Sequence, residues 1–549
     1  MADKLREFLT ILTEEMKLSR GRPPAQWDGF TRWDLDFSPL SLSLGRYVPV
    51  LFSDSSGESR VTEKEAIQLK RKVADFIRSS GDDFCLLLTP VAIGEPLKTL
   101  APGGFPDNFA ILDGADMDRI AAERNNSKRL EHLGRVLARQ SGELQLSPYV
   151  PNEPAVGGRF FGRQQTLRQI LASTVATSYT LVGPRRIGKT SVLMQLEKLL
   201  RDRYAPSVLK IAHLMAIRYS STSELLGAAV AALAERGAEK EAYKYEQRPA
   251  RGRKFVNFIH GLAGKTGGKR VVLMIDELDY VLEMDRNQNY DCLALLRAAF
   301  THERCQVVFA GFRETARALT DNSTPLFGFT EPIELAGLDL AEANEMIRRP
   351  FRHMGIDIPE TVVENIVERS AGHPQVITYF CHGILAFYDR ERRLPRDAEL
   401  EELVFGSDKF QNRITGTFLA NTNMFELLFC LLLMRKALKK PGAVRDFHFD
   451  LQDIDRLLRE SKVELDANAI TAIVNNLRLC SIITPINREN RKFRFSIPPL
   501  VYFFRNMNLD WYIQKASKEV NMRRSNPAAI HEEAPKDAAL RFLERASSA

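Results

Sequence analysis

Three short runs, residues 179–182, 271–275 and 306–310, are almost wholly apolar, and each stands between longer segments whose apolar residues recur every three or four positions. A continuous apolar run of four or five residues is the signature of a strand buried on both faces, as in a parallel sheet covered by helices. Residues 164–172, 191–200 and 223–236 have the spacing of amphipathic helices, and residues 208–217 predict one more strand. The alternation therefore predicts an α/β fold, a parallel sheet with helices on both sides, over residues 160–332.

The flanking regions carry different patterns. Residues 1–147 predict a separate α/β domain: a helix over 4–18, a turn at Pro23 and Pro24, a strand over 47–52 and an amphipathic helix over 62–78. Strands over 84–89 and 109–112 follow, on either side of a Gly/Pro loop at 102–106, and then helices to residue 140. Prolines at 148, 151 and 154 and the pair Gly157-Gly158 mark residues 148–159 as an extended linker. Beyond the core, residues 333–400 predict a short strand and a bundle of helices, ending in a charged connection over 390–402. Residues 421–505 then read helix, helix, helix and two strands around a polar turn at 487–492, which is a winged-helix order. Residues 506–549 look like a mobile tail with one short helix over 538–545.

A chain of 549 residues is too long for one core, and its 44% hydrophobic and 27% charged composition suits several packed domains. The net charge of +7 and a pI near 9.0 permit nucleic-acid contact without requiring it. Six cysteines are scattered without a C-x-x-C pair and read as reduced core residues. The apolar block 427–434 is far shorter than a membrane span, so the expected location is cytoplasmic, with no membrane partner.

The chemistry concentrates after the first apolar run. Gly183-Pro184-Arg185-Arg186-Ile187-Gly188-Lys189-Thr190 fits G-x-x-x-x-G-K-[ST], followed by Ser191 and a helical pattern. Bare backbone N–H groups wrap phosphates there, Lys189 reaches the β/γ oxygens, and the Thr190 hydroxyl ligates Mg²⁺. The run over 271–275 ends in Asp276-Glu277, at the ligand side of a parallel sheet. Asp276 is the expected Mg²⁺ ligand, and Glu277 the residue that orients the attacking water. Asp279 reads as a helix N-terminal acid. The run over 306–310 leads to Arg313, whose planar fork suits a γ-phosphate; its alternative is a structural pairing with Glu277 or Glu314. Gly264-Lys265-Thr266 has no apolar strand before it and reads as a decoy, the more complete motif lying upstream. A basic stretch over 240–254, with Tyr243 and Tyr245, offers phosphate-backbone contact or a solvated face.

These motifs in this order resemble the STAND and AAA+-related P-loop ATPases, over about residues 155–505. The resemblance implies ATP and Mg²⁺ as ligands. It puts Phe161 and Arg163, from the box Phe160-Phe161-Gly162-Arg163, beside the adenine; the alternative for the box is a cap on the helix over 164–172. It identifies residues 333–400 as a helical lid whose Gly372-His373-Pro374 places Pro374 against the nucleotide. It further implies a nucleotide-driven switch, in signalling, regulation or antiviral defence, that self-associates or binds a protein partner. No arginine occupies the usual AAA+ lid position.

Two other readings stay open. A DNA-binding ATPase, similar to origin-recognition or transposition ATPases, would use the winged helix; its third helix offers one basic residue, Arg478, and the wing adds Arg488, Arg491 and Lys492. Residues 1–147 resemble Mrr-type restriction-endonuclease-like domains, but the strand expected to carry an acidic residue or Gln two positions before a Lys reads Val50-Leu51-Phe52-Ser53-Asp54. The domain is therefore expected to have lost catalysis or to be an unrelated α/β fold; metal-dependent cutting by it would make the chain an ATP-gated nuclease. Arg185 and Arg186 face either a neighbouring subunit or solvent.

Overall fold

The computed structural model describes residues 2–44, 47–53, 62–93, 98, 108–172, 177–205, 207–234, 253–264, 269–396, 399–400, 403, 408–419, 422–439, 444–486, 492–523 and 542–543. The chain forms two compact units. One comprises Met1–Gly162, Asp339–Glu368 and Gln375–Val404; the other comprises Arg163–Leu338, Arg369–Pro374 and Phe405–Ala549.

The first unit is built on a five-stranded sheet in the order β1 (Arg20–Trp27), β2 (Phe30–Leu35), β3 (Val48–Ser53), β4 (Cys85–Leu88), β5 (Phe109–Leu112). β1, β2 and β3 pair antiparallel, and β3, β4 and β5 pair parallel. Pro23 and Pro24, expected in a turn, lie within β1, where the register shifts between Arg22 and Ala25. β1 is an exposed edge strand, and an edge tolerates residues that lack an N–H. Phe30, Leu51, Val73, Phe76, Leu87 and Ile111 form the core between the sheet and the helix Glu63–Ser80. That helix starts at a reciprocal Thr62/Glu65 capping box and stops at Gly81, whose φ of 70° is the left-handed value that favours glycine. β3 carries neither a carboxylate nor a lysine.

Residues 1–147, expected to stand alone, share their unit with the helices Leu340–His353 and Glu360–Ser370, up to Glu368, and with Pro374–Glu391 from Gln375 onward. The helix Asn126–Ser141 packs on Leu340–His353 so closely that a Cβ at Gly134 would lie 2.4 Å from the His353 carbonyl oxygen. Tyr149, in the expected linker, is buried, and its hydroxyl lies 3.0 Å from Met346 O and 2.8 Å from Ile347 O. This stretch is pinned to a helix rather than spanning free, because Tyr149 buries a large ring and still finds a partner for its hydroxyl.

The second unit holds a five-stranded, fully parallel sheet in the order β10-β6-β9-β8-β7. Its strands are β6 (Tyr179–Val182), β7 (Leu209–Met215), β8 (Arg270–Asp276), β9 (Cys305–Gly311) and β10 (Glu331–Glu334). Leu225, Leu273, Leu293 and Phe309 belong to the apolar core on one side of it. β6, β8 and β9 each lie between two neighbours and are nearly or fully buried, as continuous apolar runs require.

The C-terminal part of this unit has the helices Met424–Lys439, Leu451–Glu460 and Ala467–Leu479, then the antiparallel pair β11 (Ile483–Pro485) and β12 (Phe493–Phe495). Two further helices depart from expectation. Asp408–Phe418 falls where the pattern gives no element. Leu509–Arg523 falls in the expected tail, yet it buries Leu509, Tyr512, Ile513, Ala516 and Val520 at helical spacing, and Asp510 pairs with Arg435 at 2.8 Å. The loop over 102–106, the basic stretch up to residue 252, the turn over 487–491 and most of 524–549 lie outside the described residues. Among the described residues, no helix is long and apolar enough to cross a membrane.

Candidate functional site

β6 places residues 183–190 at its C-terminal end, and the helix Lys189–Arg203 begins directly after the loop. Gly183 is required by contact, since a Cβ there would lie 2.6 Å from the Leu335 carbonyl oxygen. Gly188 is required by conformation, with φ at 103° immediately before the helix. The helix N-terminus thus directs unpaired N–H groups and its positive dipole end toward the loop. The Lys189 ammonium folds back over the loop, donating to Gly183 O at 2.8 Å and Pro184 O at 2.9 Å. Burial lowers its pKa, opposed by the charges of Asp279, Glu277 and Asp276.

The two acidic residues at the end of β8 behave differently. Asp276 is buried; its Oδ2 accepts the Thr190 hydroxyl at 2.5 Å and its Oδ1 accepts the Glu277 N–H at 2.9 Å. Glu277 sits at φ 59° and ψ 48°, a left-handed conformation that costs a non-glycine residue roughly 1–2 kcal/mol. Its carboxyl pKa is raised, by burial first and then by the Asp276 charge, against Arg185 and Lys189. Arg185 therefore has an electrostatic role beside Glu277. Asp279 lies in the first turn of the helix Leu278–Arg286, as expected of an N-terminal acid. Its carboxylate also reaches a second helix, accepting Phe312 N at 2.6 Å and Thr315 N at 3.1 Å at the start of Arg313–Thr320.

Arg186, expected to face a subunit or solvent, donates to the Thr417 hydroxyl at 2.9 Å, so it reaches the unforeseen helix Asp408–Phe418. Arg163 donates to Ile187 O at 3.4 Å and to Ala336 O, fastening the start of the helix Gln164–Ala172 to the phosphate loop. Phe161 belongs to the other compact unit, its ring 5.4 Å from the Arg349 guanidinium. Pro374 opens the helix Pro374–Glu391, after Gly372 at φ 70°; Ser191 is buried in the helix Lys189–Arg203. His373, between Gly372 and Pro374, is buried with neither ring nitrogen bonded and packs edge-on against Phe418 at 5.1 Å. Its pKa is pushed down to about 3, by burial and then by Arg163 and Arg186.

Arg313 pairs with neither Glu277 nor Glu314. Glu314 is held by Arg286 and Arg317, whereas Arg313 is buried against Glu426 of the helix Met424–Lys439. Sequence reasoning gave no sign of Glu426 or Thr417, because their partners lie more than a hundred residues away. A glutamate at a buried helical position was the one available hint.

A parallel sheet whose interior strand ends in a phosphate loop, with the loop threonine bonded to the aspartate ending β8, defines a P-loop ATPase. Residues 148–404, which contain this machinery, match the family model described as Novel STAND NTPase 1. No curated protein matches it. Among solved structures it is similar to a Walker-type ATPase of Pyrococcus abyssi, with 17% identity, a TM-score of 0.46, and coverage of 65% of this chain and 99% of that one. It is similar as well to the ORC2 protein of Aeropyrum pernix, with 11% identity, 69% and 98% coverage and a TM-score of 0.44. The ORC1 protein of the same organism, in complex with DNA, gives 15% identity, 69% and 97% coverage and a TM-score of 0.35.

Proposed function

We propose that the protein is an ATP-driven molecular switch that changes conformation or assembles when ATP replaces ADP. The observation that carries this reading is the Arg186–Thr417 hydrogen bond, which fastens the phosphate loop to the helix Asp408–Phe418 on the C-terminal side of the core. Rearrangement of the loop around phosphates is then felt outside the ATPase core.

Lys189 and the loop N–H groups bind the phosphates. Thr190 and Asp276 would hold Mg²⁺, because a hydroxyl and a carboxylate 2.5 Å apart are the few hard oxygen donors this ion takes from protein. Bound there, Mg²⁺ supplies charge neutralisation between the β- and γ-phosphates. Glu277 accepts a proton from the attacking water, or orients it, and its raised pKa makes it a better base than an ordinary carboxylate. Arg163, through Ile187, sets the position of the loop's inner side. Hydrolysis returns the protein to its ADP form.

For the two forms to exchange, ATP must favour one of them by a few kcal/mol. Light scattering on the full chain, with Mg²⁺ and either ADP or a non-hydrolysable ATP analogue, tests this. A nucleotide-dependent change in mass or radius, abolished by Lys189→Ala, is the expected result; the same particle in both nucleotides overturns it. Within the third C-terminal helix, Asn476 donates to Glu426 at 2.9 Å, which engages one of its polar side chains internally and favours the switch over duplex reading.

A further inference from the structure

The end of β9 carries a buried polar junction outside the phosphate chemistry described above. Arg313 is 3% exposed, and its two terminal nitrogens donate to the two carboxylate oxygens of Glu426 at 2.9 and 2.7 Å. This is the bidentate geometry in which a guanidinium binds a carboxylate or a phosphate most strongly. Cys480 Sγ accepts from the same guanidinium at 2.9 Å. Glu426 is fully buried and has two donors of its own, Asn423 N at 3.0 Å and Asn476 Nδ2 at 2.9 Å.

On its other side, Arg313 follows Phe312, whose ring lies 5.8 Å from the Lys189 ammonium. Asp279 fixes the N–H groups of Phe312 and Thr315, so the backbone around Arg313 is tied to the helix that follows Asp276 and Glu277. Arg313 thus stands one residue from the phosphate-loop lysine's aromatic neighbour, while its charge is neutralised from the C-terminal helices.

We propose that Glu426 and the terminal phosphate of ATP compete for the Arg313 guanidinium, so that Glu426 sets how strongly the protein distinguishes ATP from ADP. This rests on the nucleotide-switch reading above. A buried guanidinium cannot shed its proton and needs an anionic partner wherever it lies. The two candidate partners are alike in presenting paired oxygens to its fork, and ADP has no third phosphate to offer. When Arg313 leaves, Glu426 keeps Asn423 N–H and Asn476, so it is not stranded without donors. Glu426 is accordingly a positioning residue that acts through Arg313.

Calorimetric binding of a non-hydrolysable ATP analogue and of ADP to the full chain, with Mg²⁺, tests the competition. Glu426→Gln is expected to tighten the analogue about tenfold and leave ADP unchanged, and Arg313→Met to erase the discrimination. Glu426→Gln added to Arg313→Met should then do nothing further. Because Glu426→Gln leaves a buried cation without its anion and risks misfolding, Asn476→Ala gives an independent reading of opposite sign. It spares the ion pair but removes a donor that Glu426 needs after Arg313 departs, so the analogue should weaken about threefold. Equal shifts for both nucleotides, or an effect of Glu426→Gln that persists in the Arg313→Met background, overturn the proposal. A wild-type chain that binds neither nucleotide overturns the nucleotide reading itself.

Discussion

The Thr190 hydroxyl donates to Asp276 Oδ2 at 2.5 Å, joining the start of the helix Lys189–Arg203 to the end of β8. Asp276→Asn preserves an acceptor for Thr190 and removes the charge. ATP hydrolysis should fall by about a hundredfold or more, while ADP binding measured without Mg²⁺ stays as in the wild type. A phosphate-release assay beside calorimetry separates the two effects; undiminished turnover would exclude Asp276 from the reaction.

Glu277 predicts two opposite trends from one pKa. Burial and the Asp276 charge raise it above the 4.5 of an ordinary glutamate, so the carboxylate form is lost sooner as pH falls. Turnover should decline on the acid side with an apparent pKa above 4.5. Folding favours the protonated acid, so the ionised form costs stability as pH rises through the folded value. Glu277→Gln should thus melt higher than wild type near pH 7, lose that advantage in acid, and turn over about a hundredfold more slowly or worse. Melting curves at several pH values, read beside the kinetics, check both.

Asp279→Ala removes the acceptor shared by Phe312 N and Thr315 N. Both groups are at a buried helix start, so the loss should cost about 1–2 kcal/mol, seen as a lower urea midpoint at unchanged slope. A midpoint within error of wild type would show that the helix Arg313–Thr320 is not capped this way in solution.

The His373 ring predicts an acid sensitivity. Its pKa is about 3 when folded and 6.5 when exposed, so below about pH 6.5 the unfolded chain binds a proton that the folded chain refuses. Stability falls with pH, by up to about 1.4 kcal/mol per pH unit, until the folded ring titrates near 3. His373→Leu should match or exceed the wild type at pH 7.5 and outlast it by about 2 kcal/mol at pH 5. Parallel acid-titration curves for the two proteins would contradict this.

The ATPase core was largely legible because its information is local. The expected run over 271–275 became Arg270–Asp276, and the one over 306–310 became Cys305–Gly311, since strands buried on both faces leave a continuous apolar record. Leu451–Glu460, one of the three helices expected over 421–505, was legible because five acidic and basic side chains stand against a narrow apolar stripe. β1 was not legible, because two prolines read as a turn unless the strand is known to be an edge. Leu509–Arg523 was missed for a different reason: its mixed polar surface near the end of the chain resembles a tail, though its apolar spacing was present. In the site, Lys189, Thr190 and Asp276 come together as their spacing suggests. The partners of Arg186 and Arg313 are products of tertiary approach, and no local pattern encodes them.

The chain passes between the two compact units after Gly162, Leu338, Glu368, Pro374 and Val404. During synthesis, therefore, the N-terminal sheet emerges long before the helices that share its unit, and the whole ATPase sheet is made in between. The first unit cannot close until residue 404 has left the ribosome, and the face of the helix Asn126–Ser141 that Leu340–His353 packs on must wait uncovered. A nascent chain halted after β10 should then be more sensitive to protease and more dependent on chaperones than one released at its full length.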